Sequence, residues 1–199
     1  MQKQIVYTKA SNSDAPFISS LHKLGIPTGF LSKQSPSFLE ALYAYLIKNE
    51  IVYVAKDRQK VVGFIAVSKN TSGLYKRFLK SNILILIKFA IQNLFSLDFI
   101  KKAFETLNAP KKTSLDSNYD LPELLSIVVD KNYMKKGIGK ELLSLVEKDL
   151  KELSFNSYKV LVGLYLEANS FYLRNKFVKI KEIELHKGEK SFIYVKEMA

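Results

Sequence analysis

The sequence has no cysteine among its 199 residues, which excludes a disulfide-stabilised scaffold, a thiolate zinc site and a cysteine nucleophile. It has two histidines, too few for a metal site built from several imidazoles, and we expect no bound metal. Residues 1–7 lack the apolar region and cleavage site of a signal peptide, so we expect a cytoplasmic protein. The longest apolar stretch, residues 83–97, contains Lys88 and is shorter than the ~20 residues of a membrane-spanning helix.

Acidic residues are fewer than basic ones. The chain has 19 Asp and Glu and 31 Lys and Arg, which gives a net charge of +12. Hydrophobic residues make up 47% of the chain and charged residues 25%, which is typical of a folded globular protein. The length fits a single domain over residues 1–199. The positive charge is compatible with nucleic acid, an anionic membrane surface or an anionic small ligand. Because no aromatic–basic RNA motif or helix-turn-helix pattern is present, nucleic acid is the least favoured partner.

The hydrophobic pattern predicts a mixed order of strands and helices, with a strand–loop–helix–strand unit at its centre. A first helix is predicted to begin at Ser13 or Asp14, with Pro16 in its first turn, and a second at Ser35-Pro36. Their predicted buried faces hold Phe17, Leu21 and Leu24 in the first helix and Phe38, Leu39, Leu42, Tyr45 and Leu46 in the second. Strands are predicted near 4–9, 51–56, 61–68, 121–129, 159–166, 177–186 and 190–196.

An insertion over residues 70–118 breaks this alternation and is predicted to be helical. It is also basic, because residues 70–112 hold half of the net charge. Three interpretations remain open: a helical hairpin packed on the domain, peripheral membrane contact through residues 74–107, and a homodimer interface.

A glycine-containing turn lies between the buried strand at 124–129 and the helix that follows it. Backbone N–H groups converge at such a turn, the helix dipole favours negative charge, and glycine lets a phosphate approach the main chain. The pair Gly137 and Gly139 alone is a weak signal, because a tight turn or a helix cap has the same residues. The dinucleotide fingerprint and the P-loop are both excluded by their missing residues.

The surroundings of this turn resemble the acetyl-CoA-binding core of the GNAT superfamily of N-acetyltransferases. Residues 121–143 are similar to the family's strand ending in Val-Asp, its loop Gln/Arg-x-x-Gly-x-Gly/Ala and the helix after it. Residues 168–177 resemble the family's second motif, and the match is close over residues 121–180. Three residues depart from the family pattern: Met134 replaces Gln or Arg, Tyr165 replaces Asn, and Lys176 replaces Gly.

The resemblance implies an α/β fold of the GNAT type, with a mixed, mostly antiparallel central sheet flanked by helices and a helical insertion. It implies acetyl-CoA as co-substrate, with the thioester and pantetheine bound along the strand and the pyrophosphate bound at the turn. The residues implied for the acetyl-CoA site are Ile127, Val128, Val129, Met134, Lys135, Lys136, Gly137, Ile138, Gly139, Lys140, Asn169 and Tyr172.

Two catalytic residues are also implied by the resemblance. Glu123 lies where histone acetyltransferases of this superfamily carry the base that takes the proton of the amine. Tyr172 matches the tyrosine that protonates the departing CoA sulfur. From the residues alone, Glu123 is equally compatible with a solvated glutamate at a strand start, and Tyr172 with a packing residue. We assign no role to His22 or His186.

The resemblance thus implies an acyl-CoA-dependent N-acetyltransferase that acts on a primary amine. The basic and aromatic character of the acceptor regions favours a small anionic amine, such as an amino-sugar nucleotide. A protein N-acetyltransferase and a non-catalytic CoA-binding or membrane-surface adaptor remain as alternatives.

Overall fold

The computed structural model describes residues 4–27, 31–82, 121–164, 166–186 and 189–198. The chain divides into two compact units, Met1–Lys69 with Leu124–Phe155 and Asn70–Glu123 with Asn156–Ala199. The elements are β1 (Ile5–Lys9), α1 (Ala15–Gly25), α2 (Pro36–Asn49), β2 (Ile51–Asp57), β3 (Lys60–Ser68), α3 (Leu74–Ser81), β4 (Glu123–Val129), α4 (Ile138–Glu152), β5 (Ser157–Gly163), α5 (Ala168–Arg174), β6 (Val178–His186) and β7 (Glu189–Glu197). The predicted strands and the predicted helices α1, α2 and α4 are therefore confirmed, with boundaries that differ by a few residues.

The first unit is built on the strands β1 to β4, which neighbour each other in chain order. β1 pairs antiparallel with β2, and β2 pairs antiparallel with β3. Their β-branched runs are buried, so β2 and β3 form the centre of the core. α1 packs on α2 and β3, and α4 packs on β2 and β3. The Ser35 hydroxyl accepts a hydrogen bond from the Phe38 N–H at 3.3 Å, which caps α2 as its sequence predicts.

The second unit contains three strands in the order β5, β7, β6. β7 pairs antiparallel with both β5 and β6, and it forms a hairpin with β6. The short helix α5 lies between β5 and β6 in the sequence and carries the buried Tyr172. Strands in both units thus pair in an antiparallel manner, in agreement with the predicted fold class.

The buried face of α1 differs from the prediction, whereas that of α2 agrees with it at Phe38, Leu39, Leu42 and Leu46. In α1, Phe17 is 55% exposed and Leu24 is 80% exposed, whereas Leu21 is buried. The buried stripe of α1 runs through Ala15, Ile18, Ser19, Leu21 and His22. In α2 it is Tyr43 that is buried, and Tyr45 is half-buried. The prediction for α1 was wrong at Phe17 and Leu24 because it weighted large apolar side chains, while the packing accepts small and polar residues that share the helical face.

The basic insertion begins with α3, a helix as predicted. The remainder of the predicted insertion, over residues 83–118, lies outside the described residues. Within the part of the chain that the structure describes, no helix combines the length and the apolar character needed to cross a membrane.

Candidate active site

Three groups of predicted site residues can be located in the two units. The first unit holds Ile127–Val129 on β4 and the turn from Met134 to Lys140, and the second unit holds Glu123, Asn169 and Tyr172. Ser126 and Val128 point into the core of the first unit, while Ile127 and Val129 are half-buried. The structure therefore places the predicted thioester-binding backbone on a strand, where its N–H groups have fixed directions.

The segment after β4 is anchored at both of its ends. The Asp130 carboxylate accepts from the Asn132 N–H at 3.0 Å and forms an ion pair with Lys60 at 3.0 Å. The hydrogen bond from the Asn132 N–H is the largest cause of a lowered pKa of the Asp130 carboxyl. The Lys60 ammonium lowers this pKa further. The hydroxyl of the buried Tyr133 donates to Asp57 at 2.6 Å. These contacts hold the path of the chain into the glycine turn.

The turn itself has the backbone geometry that an anion site needs. Gly137 has φ +80° and is the N-cap of α4, and Lys135 also has a positive φ of +61°. Apart from the local backbone and the chain neighbours of Gly137, no heavy atom of the described residues lies within 4 Å of the position of a Cβ on this glycine. The first N–H groups of a helix have no intrahelical acceptor, and here these belong to Ile138, Gly139 and Lys140. The open space, the N–H groups and the helix dipole together fit a phosphate group.

The side chains of the turn point mainly to solvent. Met134, Lys135, Lys136 and Lys140 are exposed, and the Lys136 ammonium lies 5.1 Å from the centre of the Tyr133 ring. The replacement of a polar residue by Met134 leaves the backbone N–H groups of the turn in place. The positive charge of the lysines adds to the attraction for an anion.

Tyr172 lies in an aromatic cluster of the second unit. Its ring stacks on Tyr194 at a centroid distance of 6.2 Å and meets Phe177 edge-on at 5.2 Å. Burial raises the pKa of the Tyr172 hydroxyl, so the group keeps its proton throughout the neutral range. This suits a proton donor, although the predicted role of Tyr172 stays a prediction.

Asn169 organises the loop between β5 and α5. Its amide N–H₂ donates to the carbonyl of Gly163 at 3.0 Å and to that of Leu166 at 2.7 Å. Its amide oxygen accepts from the Tyr194 hydroxyl at 2.9 Å. Asn169 thereby orders the segment that precedes Tyr172, and direct contact of this side chain with CoA stays a prediction.

Glu123 is not a solvated residue at a strand start, because its side chain is 14% exposed and faces the Lys159 ammonium at 3.6 Å. Lys159 lies on β5, and its side chain is 3% exposed. Burial, the largest influence, raises the pKa of the Glu123 carboxyl, while Lys159 and a hydrogen bond from the Thr71 hydroxyl offset part of that rise. A buried carboxylate with a raised pKa is a suitable general base near neutral pH.

The first unit contains a buried series of hydrogen-bonded polar side chains that the sequence did not predict. His22 Nδ1 and the Tyr43 hydroxyl are 2.6 Å apart, and the Tyr43 hydroxyl and the Ser126 hydroxyl are 3.0 Å apart. These two hydrogen bonds thus join α1, α2 and β4. Burial and the neighbouring Lys23 lower the pKa of His22 to about 4, so the imidazole is neutral at physiological pH.

Local sequence signals for these groups are weak. Lys159 interrupts an otherwise apolar strand. A lysine in such a run is the local signal that indicates a buried partner for its ammonium group. His22 and Tyr43 fall on helical faces whose other members are apolar, which indicates burial but not pairing.

The chain is similar to known proteins in its sequence family and in its fold. A model of the Acetyltransferase (GNAT) family matches residues 19–177. No curated protein sequence matches the chain. Solved structures do match over 98% of it: the PaiA N-acetyltransferase from Thermoplasma acidophilum in complex with coenzyme A (16% identity, 99% of that chain, TM-score 0.61), an N-acetyltransferase from Staphylococcus aureus (14%, 98%, 0.63) and a ribosomal-protein-alanine N-acetyltransferase from Escherichia coli (12%, 96%, 0.59).

The fold and the family match define an enzyme that transfers an acetyl group from acetyl-CoA to an amine. The chain belongs to the GNAT family of acetyltransferases. Among the described residues, no group of three or more His, Asp or Glu side chains is arranged to hold a metal ion.

Proposed function

We propose that the protein acetylates the primary amine of a small anionic molecule, with an amino-sugar nucleotide as the representative acceptor. The observation that carries acetyl-CoA binding is the turn at Gly137, with its positive φ, the open space beside its Cα and the helix N–H groups that follow. These N–H groups bind the pyrophosphate, and Lys135 and Lys136 add positive charge. The backbone of Ile127, Val128 and Val129 binds the thioester carbonyl and pantetheine.

In the transfer, the amine nitrogen attacks the thioester carbonyl carbon, so that a C–N bond forms and the C–S bond breaks. Glu123 accepts the proton that the amine loses. Tyr172 donates its hydroxyl proton to the departing sulfur, and CoA leaves as the thiol. The buried position of Glu123 supports its role, because desolvation strengthens the carboxylate as a base.

The burial of Tyr172 determines how its proton is delivered. A phenolate in this aromatic cluster is unfavourable, because burial against the rings of Phe171, Phe177 and Tyr194 removes the solvent that would stabilise its negative charge. The hydroxyl therefore donates to sulfur as negative charge develops there and does not ionise in advance. General acid–base groups of this kind contribute about 10²- to 10⁴-fold to the rate.

The anionic character of the acceptor is supported by α3. This helix carries Tyr75, whose pKa is raised first by burial. The charge of the nearby Glu123 carboxylate raises the pKa of the Tyr75 hydroxyl further. The same helix exposes Lys76, Arg77 and Lys80 to solvent. Positive charge on the element that contacts the base attracts a negatively charged acceptor.

The first test is CoA binding by calorimetry. Gly137→Glu places a carboxylate where the pyrophosphate binds, so we expect CoA affinity to be lost. Gly73→Glu is the matched control, because Gly73 also has a positive φ, +67°, but does not belong to the predicted CoA site. Wild-type protein that binds no CoA, or equal binding by Gly137→Glu and wild type, would contradict the proposed site.

The second test measures thiol release from acetyl-CoA in a screen of amine acceptors. With an acceptor identified, Tyr172→Phe keeps the ring packing and removes the proton donor, so we expect a fall in kcat near 10²-fold with CoA affinity unchanged. Glu123→Gln should need a higher pH for activity. Turnover of Tyr172→Phe at the wild-type rate would assign Tyr172 to packing alone.

The acceptor screen also decides between substrate classes. Anionic amino sugars are expected to react, and cationic amines and protein N-termini are expected to react poorly. Preferential acetylation of protein N-termini would establish the alternative function. The cytoplasmic location and a homodimer stay predictions.

A further inference from the structure

Lys159 is a buried cation to which neither the family pattern nor the proposed chemistry assigns a task. Its side chain is 3% exposed, and its ammonium lies 3.6 Å from Glu123 Oε2. Burying an ammonium group is costly unless an opposite charge faces it, and Lys and Glu are rarely buried for packing alone. The pair therefore calls for an explanation in terms of what each charge does to the other.

The backbone holds the two residues in register. The Lys159 N–H donates to the carbonyl of Pro122 at 2.9 Å, directly before Glu123 in the sequence. A lysine that starts its side chain from this position reaches the carboxylate without leaving the interior. The pairing thus follows from the alignment of β5 with the start of β4 within the second unit, and not from a flexible surface contact.

The distance between the charges leaves Glu123 able to react. At 3.6 Å, the Nζ–Oε2 contact is an ion pair and is too long for a good hydrogen bond. The Coulomb attraction at this distance is retained, while carboxylate lone pairs remain for the N–H of an amine or a water. The Thr71 hydroxyl donates to the same carboxylate and helps to orient it.

Within the described part of the chain, the other polar groups that face Glu123 do not carry charge at neutral pH. Tyr75 on α3 is the second titratable residue that faces the carboxylate, and its raised pKa keeps its hydroxyl protonated. Thr71 is buried and does not titrate. Among the described residues, Lys159 is therefore the charged group that interacts with Glu123 from β5, and Tyr75 and Thr71 are the polar groups that face it from α3 and the segment before it.

We propose that Lys159 is a positioning residue that favours the ionised form of Glu123 inside the protein and so helps the carboxylate to take the proton of the acceptor amine. This proposal rests on the proposed function of Glu123 as the base. Burial raises the pKa of the Glu123 carboxyl, and Lys159 is the charged group among the described residues that offsets part of this rise. The same ammonium disfavours a second positive charge beside it, and so favours the neutral, nucleophilic form of the bound amine.

The test compares Lys159→Met, which removes the charge at similar length, with Lys159→Arg, which retains it. The first measurement is the titration of the Glu123 carboxyl carbon by NMR with ¹³C-labelled glutamate, assigned by its loss in Glu123→Gln. An opposite charge at such a distance changes a carboxyl pKa by about 1–3 units. We expect the midpoint to rise by this amount in Lys159→Met and to stay close to wild type in Lys159→Arg.

The second measurement is the pH dependence of kcat/KM with acetyl-CoA and an acceptor found in the screen. The acidic limb should move to higher pH by about the same 1–3 units in Lys159→Met. In the double variant Glu123→Gln/Lys159→Met, the limb due to the carboxylate should be absent. A residue that served only to stabilise the fold would lower stability or kcat at all pH values and would leave the limb where it is.

The outcomes separate this inference from the proposed function. An unchanged Glu123 midpoint in folded Lys159→Met overturns the role of Lys159, whatever the activity. A shifted midpoint with an unchanged acidic limb supports the control of the Glu123 charge by Lys159 and contradicts the proposed role of Glu123 as the base. If Lys159→Met does not fold, Lys159→Gln, which can still donate to the carboxylate, takes its place with the same expected direction of shift.

Discussion

The buried imidazole of His22 predicts a specific loss of stability in weak acid. His22 is 4% exposed, and its Nδ1 lies 2.6 Å from the Tyr43 hydroxyl. No described residue forms a hydrogen bond with its other ring nitrogen, Nε2, which is also buried. A protonated imidazole here would have a second N–H donor without an acceptor and a positive charge without solvent, which explains why the neutral form is favoured.

The magnitude follows from the shift in pKa. Burial, with Lys23 as a smaller cause, lowers the pKa of His22 from 6.5 to about 4, a difference of 2.5 units. Each unit corresponds to about 1.4 kcal/mol, so the full contribution is about 3 kcal/mol. The unfolded chain binds the proton below pH 6.5 and the folded protein only near pH 4. The free energy of unfolding contributed by His22 is therefore intact above pH 6.5 and is lost as the pH falls to about 4.

The assay is urea denaturation of wild type and His22→Gln at a series of pH values from 7 to 4. Glutamine can retain a hydrogen bond to Tyr43 but does not titrate. We expect the wild type to lose about 2–3 kcal/mol more than the variant across this range. The difference between the two proteins removes the contribution of the carboxylates, which titrate in both.

Parallel pH curves for the two proteins would refute the reasoning. That result would mean that His22 gains a proton in the folded state as easily as in the unfolded state, and hence that the interior around it is polar.

A Tyr43→Phe variant checks the geometry independently. The His22 and Ser126 side chains lose their shared hydrogen-bond partner, so the free energy of unfolding should fall by about 1–3 kcal/mol at pH 7.

Three further predictions concern glycine and asparagine positions. Gly25→Ala places a Cβ in collision with Val128 Cγ1, so we expect a loss of about 1–3 kcal/mol in denaturation experiments, and Val128→Ala should recover part of it; an additive double variant would contradict this contact. Gly137→Ala and Gly73→Ala should each lower stability by about 1 kcal/mol, because both glycines have positive φ, but in calorimetry the CoA affinity should fall in Gly137→Ala alone. Asn169→Ala should lower the melting temperature with or without CoA, and weaker CoA binding at unchanged stability would instead show a direct contact with the cofactor.

The sequence alone determined the parts of this protein that depend on neighbouring residues. The cap of α2 comes from Ser35, directly before the Pro36 that begins the helix, and the turn before α4 needs a glycine because its φ is positive. Both rules act over a few residues and are readable in the sequence. The strand positions follow for the same reason, because β-branched runs mark them locally. The family resemblance added the roles expected for these elements.

Tertiary structure decided which charges and polar groups meet. The Tyr43 and Ser126 hydroxyls pair although 83 positions separate them in the sequence, and Glu123 acquires its lysine from another strand. Helical periodicity indicates a buried face but does not distinguish a face with Phe17 from one with His22, because the alternatives are separated by one step around the helix. The choice depends on the shape of the surface beneath α1, where Gly25 lies against Val128. Such contacts depend on strand alignment and helix docking, which are set by the packing of the whole unit and have no local sequence signal.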